Sequence, residues 1–263
     1  GVRKVNGVLS MIIEAQRSGF KEIFIPEENA AEGKLVTGID VYTHSNLRQL
    51  IEHLQGKIKL QPLPKENILQ NLDRAYDVDF ADVKGQPVAR RALEIAAAGG
   101  HSILMMGAPG CGKTMLARRL VTILPPVTEA EALEITKIYS IVNMLPETES
   151  VMIERPFRSP HHSVSASALL GGGTYPMPGE VTLSHNGVLF LDELPEFERY
   201  TLEMLRQPLE DGEVHISRVR GTMNYPARFL LIAAGNPCPC GYLGDKFRRC
   251  TCKQKDVENY RRK

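Results

Sequence analysis

Gly107-Ala108-Pro109-Gly110-Cys111-Gly112-Lys113-Thr114 is the most constraining run of residues in this chain. It has the glycine and Lys-Thr spacing of a phosphate-binding loop, and it stands between an apolar run, Ser102-Ile103-Leu104-Met105-Met106, and a helical pattern. Glycines let backbone N–H groups turn inward around phosphate oxygens, and the helix that follows adds the positive end of its dipole. Lys113 is then the residue to neutralise the β and γ phosphates of ATP, and Thr114 the one to ligate Mg²⁺. Gly107, Ala108, Pro109, Gly110, Cys111 and Gly112 form the cradle. Cys111 reads as a space-filler within it, because no partner base for a nucleophilic thiol is specified nearby.

Working outward, Val188-Leu189-Phe190-Leu191 and Arg228 to Ala234 read as two further strands beside a short buried strand at 102 to 106. With helices crossing between them, they imply a mostly parallel sheet and a three-layer α/β fold. Asp192 and Glu193 end one strand at the carboxyl edge, where such sheets bind ligands. Asp192 is the candidate to hold Mg²⁺, directly or through water, and Glu193 the candidate to polarise the attacking water. Asn236 ends another strand, and its neutral amide suits orienting that water or sensing the γ phosphate; an ordinary turn before Pro237 is the competing reading.

The helices are punctuated as clearly. Pro87 opens one bearing Val88, Ala92, Leu93 and Ile95; residues 113 to 124 carry the stripe Leu116, Leu120, Val121 and Leu124, stopped by Pro125-Pro126. Thr128 and Glu131 make a capping box for a helix through about Tyr139. Residues 155 to 186, rich in Ser, His, Gly and Pro, read as an insertion with one short helix around Ser165 to Leu170. Upstream, residues 8 to 17 have helical spacing, Ile23-Phe24-Ile25-Pro26 and Gly38 to Tyr42 read as extended, and Ser45 is placed to cap a helix bearing Leu47, Leu50, Ile51 and Leu54. The expected organisation is a small α/β domain over residues 1–55, a linker over 56–79 that packs over the next domain, and the phosphate-binding core over 80–263.

Composition sets the outer bounds. Apolar residues make up 43% of the 263 and charged residues 24%, which supports packed cores and excludes global disorder, and no stretch approaches the length of a membrane span. Thirty-two Lys and Arg against 31 Asp and Glu leave a net charge of +1, so polyanion binding cannot be inferred from the total. Charge is local instead: eight Lys or Arg stand between Lys246 and Lys263 against Asp256 and Glu258, which supports contact with a DNA backbone or a merely solvated surface. Four of the five Cys crowd into Cys238-Pro239-Cys240 and Cys250-Thr251-Cys252, a pattern for a cytoplasmic protein and not for a secreted disulfide scaffold. These thiols suffice for one tetrahedral site, with zinc the leading metal, although each pair is closer than in the usual ribbon; unmetallated thiols and disulfides stay open. A start at Gly-Val-Arg-Lys and an end at Arg-Arg-Lys read as a fragment.

The phosphate loop, Leu189 to Leu194 and Ala233-Ala234-Gly235-Asn236-Pro237 together resemble an AAA+ ATPase of the magnesium-chelatase-related family that includes the ComM/YifB-type competence proteins. Phe157-Arg158-Ser159-Pro160-His161-His162, Leu169 to Gly173, Pro178-Gly179-Glu180, Ser184-His185-Asn186-Gly187 and Cys238-Pro239-Cys240-Gly241 carry the same resemblance in order. It implies Walker A roles for Lys113 and Thr114, Walker B for Asp192 and Glu193, sensor 1 for Asn236, and a border on the adenine for Asp82 to Gln86, Val83 among them. It further implies a helix-2 insertion around Gly171 to Ser184 and a hairpin before sensor 1 over Glu213 to Tyr225, on which Val214, Ile216 and Val219 have strand-like spacing. Arg218 and Arg220 are then candidate phosphate contacts or residues of a solvated strand.

The first 55 residues resemble the end of a Lon/S5-like domain. No lysine occupies Asn6 to Met11, where that domain would carry its catalytic one, which argues against peptidase activity. The resemblance implies a homo-hexameric ring, ATP hydrolysed between neighbours, an arginine finger and sensor 2 beyond the matched region, and DNA branch migration or helicase action in natural transformation. A protein-remodelling or metal-insertion motor and an ATP-regulated scaffold are the alternatives. His161, His162 and His185 lack a metal-ligand spacing; the resemblance gives them insertion packing or nucleotide-dependent communication.

Overall fold

The structure, a computed structural model, describes residues 1–65, 76–146, 151–174, 176–218, 221–245 and 247–262. Its chain divides into two compact units, Gly1–Arg74 with Val127–Glu154, and Ala75–Pro126 with Arg155–Lys263. The capped helix Glu129–Ile141 belongs to the first unit and packs on the helix 8–17.

In the first unit, the helix Val8–Arg17 and the parallel strands β1 (Glu22–Pro26) and β2 (Asp40–His44) form where the apolar spacing predicts them. Two local expectations change. Asn46, not Ser45, caps the helix Leu47–Leu54, accepting the Gln49 N–H at 3.0 Å, while Ser45 bonds the Gln49 side chain. The start of the expected linker packs back on this unit: the Leu63 N–H donates to the Val41 carbonyl at 2.8 Å, and its side chain lies against Gly33. A carboxyl group lies at the centre of the unit. Glu32 is buried and accepts from the Leu9 N–H at 3.1 Å, the Asn29 amide at 2.8 Å and the Ser140 hydroxyl at 2.5 Å. The last of these joins the helix 129–141 to the amino-terminal residues. Sequence reasoning gave no signal for it, because partners 108 residues apart leave no local pattern.

Four parallel strands order the second unit: β3 (Ile103–Met106), β4 (Phe157–Arg158), β7 (Val188–Leu191) and β10 (Leu230–Gly235) lie side by side as β3-β10-β7-β4. Between β4 and β7 runs the short hairpin β5 (Gly171–Gly172) with β6 (Met177–Pro178), and before β10 the hairpin β8 (Glu213–Arg218) with β9 (Gly221–Pro226). All four residues of β7 are buried, as befits an inner strand of a parallel sheet covered on both faces. Each such Leu or Phe stabilises the fold by about 2 kcal/mol relative to exposure. β3 departs from the expectation of a buried strand: it is an edge, and Leu104 and Met106 on alternate positions are exposed.

The helices agree with the sequence except in which face they bury. Leu116, Leu120, Val121 and Leu124 enter the core, with a 3-10 turn over Val121–Ile123 after the helix Lys113–Leu120. On the helix Pro87–Gly99 the buried set is Leu93, Ala96 and Ala97, whereas Val88 and Ile95 are exposed. Val214 and Ile216 of β8 are buried; Val219 and Arg220 lie outside the described residues. Among the described residues no helix is long and apolar enough to cross a membrane.

Candidate functional site

The sheet order builds the site. β10 lies between the strand that feeds the phosphate loop and the strand that ends in Asp192, so Asn236 stands between Lys113 and the acidic pair. The ladder continues one step past β3, where the Gly107 N–H donates to the Gly235 carbonyl at 3.2 Å. Gly110 and Gly112 then take φ of 75° and 89°, left-handed angles that would strain a side chain and that let the loop turn into the helix 113–120. The Gln86 amide donates to the Cys111 carbonyl at 2.6 Å and braces the loop from outside.

A cleft of about 380 Å³ results, lined by Pro109, Gly110, Cys111, Gly112, Lys113, Thr114, Met115, Asp192, Glu193, Gly235 and Asn236. Met115 and Gly235 are additions to the residues expected from sequence. The Lys113 ammonium donates to the carbonyls of Gly107 at 2.8 Å and Ala108 at 3.1 Å and to Asn236 Oδ1 at 3.2 Å. All three are neutral oxygens, which an anionic oxygen would outcompete for the charge. The Thr114 hydroxyl donates to Asp192 Oδ2 at 2.7 Å. Neighbouring ligands of an octahedral Mg²⁺ bound at about 2.1 Å lie about 3.0 Å apart, so this hydroxyl-carboxylate pair fits two positions of that shell with a shift of a few tenths of an ångström. The sulfur of Cys111 lies 3.9 Å from Lys113 Nζ, partly buried against the loop. Val83 lies elsewhere than the cleft lining: its side chain is buried in the core, and its carbonyl accepts from Arg90.

Glu193 is held differently from Asp192. Its backbone is left-handed, φ 54°, its N–H donates to Asp192 Oδ1 at 2.9 Å, and its half-exposed carboxylate meets His162 Nδ1 at 3.2 Å. A strained, exposed carboxylate next to a phosphate loop is a signature of a functional position. His162 comes from the loop after β4, its ring tilted against that of His161 with centroids 4.0 Å apart. That loop is fixed at its root by Arg158, whose guanidinium meets both Glu180 oxygens at 2.6 and 2.7 Å. His162, absent from the expected site residues, is thus a direct neighbour of Glu193, and its place in the run Phe157 to His162 that carries the family resemblance was the available signal. His185 is buried instead, accepting the Arg228 N–H at 3.1 Å and tying the turn before β7 to the approach to β10.

Beyond Asn236 the chain turns into the cysteines. The four sulfurs of Cys238, Cys240, Cys250 and Cys252 lie within 4.8 Å of one another. Backbone N–H groups of Tyr242 and Thr251 draw the Cys240 thiol down to about 6. Cys252 also receives the Cys240 N–H, yet burial and its sulfur neighbours push it up to about 12. Sulfurs this close compete for negative charge, a conflict that a cation relieves. The helix Gln254–Arg261 closes over the turn, with Arg261 Nε 3.4 Å from the Pro237 carbonyl. Its Tyr260 phenol is raised by burial first and then by the charges of Glu196, Glu193 and Cys238. Arg248, Arg249, Lys253, Lys255, Arg261 and Arg262 are exposed along this segment; the Arg248 guanidinium also donates to the Tyr242 hydroxyl at 2.7 Å.

The model of the family described as "Magnesium chelatase, subunit ChlI" matches residues 79–263. A Salmonella typhimurium protein named YifB is 48% identical over 254 residues, covering 96% of this chain and 49% of its own length. The Haemophilus influenzae competence protein ComM is 46% identical over 256 residues, covering 96% and 50%. The magnesium-chelatase 38 kDa subunit of Rhodobacter capsulatus is 26% identical over 176 residues, covering 60% and 50%. The chain therefore spans about half the length of these relatives.

Proposed function

Because the chain belongs to the magnesium chelatase family of AAA+ ATPases, we propose that its cleft binds Mg-ATP and hydrolyses the terminal phosphate. One observation carries this reading. Lys113 reaches Asn236 and Thr114 reaches Asp192, pairs 123 and 78 residues apart in sequence, so three strand ends converge on a single phosphate loop. Lys113 exchanges its neutral oxygen partners for phosphate oxygens as the nucleotide enters. Thr114 and Asp192 would hold Mg²⁺, which would supply positive charge to the transferring group. Glu193 accepts the proton of a water whose oxygen bonds to the γ phosphorus as the bond to the β-bridging oxygen breaks; Asn236 orients that water, and ADP and phosphate leave. The test is steady-state hydrolysis by the full-length protein and its Glu193→Gln variant: equal, negligible rates would leave only an ATP-regulated scaffold.

For the client, the names on the family and on the Rhodobacter relative support a motor that remodels a protein or inserts a metal. A second reading, DNA branch migration or helicase action, rests on the exposed basic residues 248–262 and on the name of the Haemophilus relative. Either motor is a ring of copies, a homo-hexamer, working in the cytoplasm. Stimulation of the ATPase by branched or single-stranded DNA, set beside protein clients, separates the two; DNA-insensitive hydrolysis with a protein response removes the second.

A further inference from the structure

We propose that Cys238, Cys240, Cys250 and Cys252 bind one zinc ion in a tetrahedral all-sulfur site, and that this knuckle is a strut for the phosphate loop. The geometry carries the first half. Sulfur separations are 3.4 Å for Cys238 to Cys240 and 3.6 Å from each of these to Cys250, and the Cys240 N–H points at Cys252 Sγ from 3.4 Å. Four sulfurs at about 2.3 Å from a tetrahedral Zn²⁺ stand about 3.8 Å apart, so the cluster is already near the size of that shell. All-thiolate donors select zinc over the hard cations that oxygen ligands would take. The first short Cys-x-Cys pair supplies two ligands because the chain turns tightly around it: the Gly241 N–H returns to the Cys238 carbonyl at 2.9 Å, with Gly241 at φ 83°.

The second half follows from what that turn touches. A Cβ added at Gly241 would stand 2.6 Å from Pro109 Cγ, so the cysteine turn lies directly on the phosphate loop. Asn236 is separated from the first ligand by Pro237 alone, and the Pro237 carbonyl is held by Arg261. Metal at the four sulfurs fixes one end of the chain that carries Asn236 and the floor beneath Pro109. Where a metal favours the nucleotide-competent arrangement, the nucleotide must favour metal binding by the same factor.

The coupling rests on the Mg-ATP reading above, whereas metal binding is independent of it. Full-length protein expressed in zinc-supplemented medium is expected to hold about one zinc per chain by elemental analysis, and to show the charge-transfer and d–d bands of tetrahedral cobalt thiolate after exchange with Co²⁺. Cys250→Ser is expected to lose both. Protein without zinc, with four thiols titrating freely, with a disulfide, or with an iron-sulfur absorbance overturns the metal site. The strut is tested on protein that keeps its cysteines: a non-hydrolysable ATP analogue is expected to tighten Zn²⁺ against a competing chelator by about fivefold or more. Gly241→Ala, which crowds Pro109, is expected to retain cobalt bands and weaken that coupling. Zinc affinity that ignores a bound nucleotide overturns the strut while leaving the metal; failure of the analogue to bind at all sinks the ATP reading instead.

Discussion

Two carboxyl-bearing regions of this chain are built from the same chemistry to opposite ends. Glu32 is 5% exposed and takes three donors, the Leu9 N–H, the Asn29 amide and the Ser140 hydroxyl, all supplied by its own unit. Glu193 is 55% exposed at the side chain, sits on a left-handed backbone and faces one imidazole. A buried carboxyl left short of partners costs several kcal/mol, so Glu32 must be paired before the fold is stable. An exposed one has water as its alternative, and its partners are exchangeable. Exchangeability is what a site that must accept a substrate requires, and it is visible here as exposure together with local strain.

That contrast can be broken most directly at the exposed end. Lys113→Ala and Glu193→Gln are both expected to lower ATP hydrolysis by at least about 100-fold with thermal unfolding unchanged within about 0.5 kcal/mol. Glu193→Gln retains nucleotide binding and Lys113→Ala loses it, as filter binding of labelled ATP would read. A matching loss of stability would mean that Glu193 belongs with Glu32. The reverse is expected of Glu32→Ala, which leaves three donors without their acceptor and destabilises by about 3 kcal/mol in urea unfolding, while the nucleotide affinity of the folded protein stays put.

Two smaller effects sharpen the comparison within the cleft. Thr114→Val removes a hydroxyl of the same volume and is expected to raise the Mg²⁺ concentration for half-maximal hydrolysis by about tenfold, the scale of one lost ligand-shell partner. His162→Ala is expected to raise basal hydrolysis, because it frees Glu193, and by no more than about fivefold, since an exposed pair is worth at most about 1 kcal/mol. A larger change, or a fall, would make His162 a direct participant.

What the sequence made legible follows the same division. The phosphate loop, the strand ends and the capping box are short-range patterns, each dictated by glycine angles, apolar spacing or a side chain three residues from its partner, and they stand where expected. Depth in the sheet was not legible: Leu104 and Met106 read as buried until the order of the strands makes β3 an edge. Nor was the return of Leu63 to Val41, or the segregation of residues 127–154 with the amino-terminal unit, since partners far apart in sequence leave no local trace. That Lys113, Thr114, Asp192, Glu193 and Asn236 converge was legible, because each stands in a short motif beyond a strand's carboxyl end. That His162 meets Glu193 was not, because it depends on how the loop after β4 lies.

The place of β10 has one more consequence. Adjacent strands are spaced about 4.8 Å apart by their amide ladders, so the two-strand step from β3 to β7 is a ruler of about 9.6 Å whose markings are backbone, not side chain. The loop that leaves one end of it returns to set the Thr114 hydroxyl against Asp192 at the other. Substituting Phe190 or Ile232 beneath changes how firmly the ruler is held and not its length. The separation of the two strand ends that this loop must bridge is therefore insulated from drift in the core, and it resets only when a strand is inserted or lost.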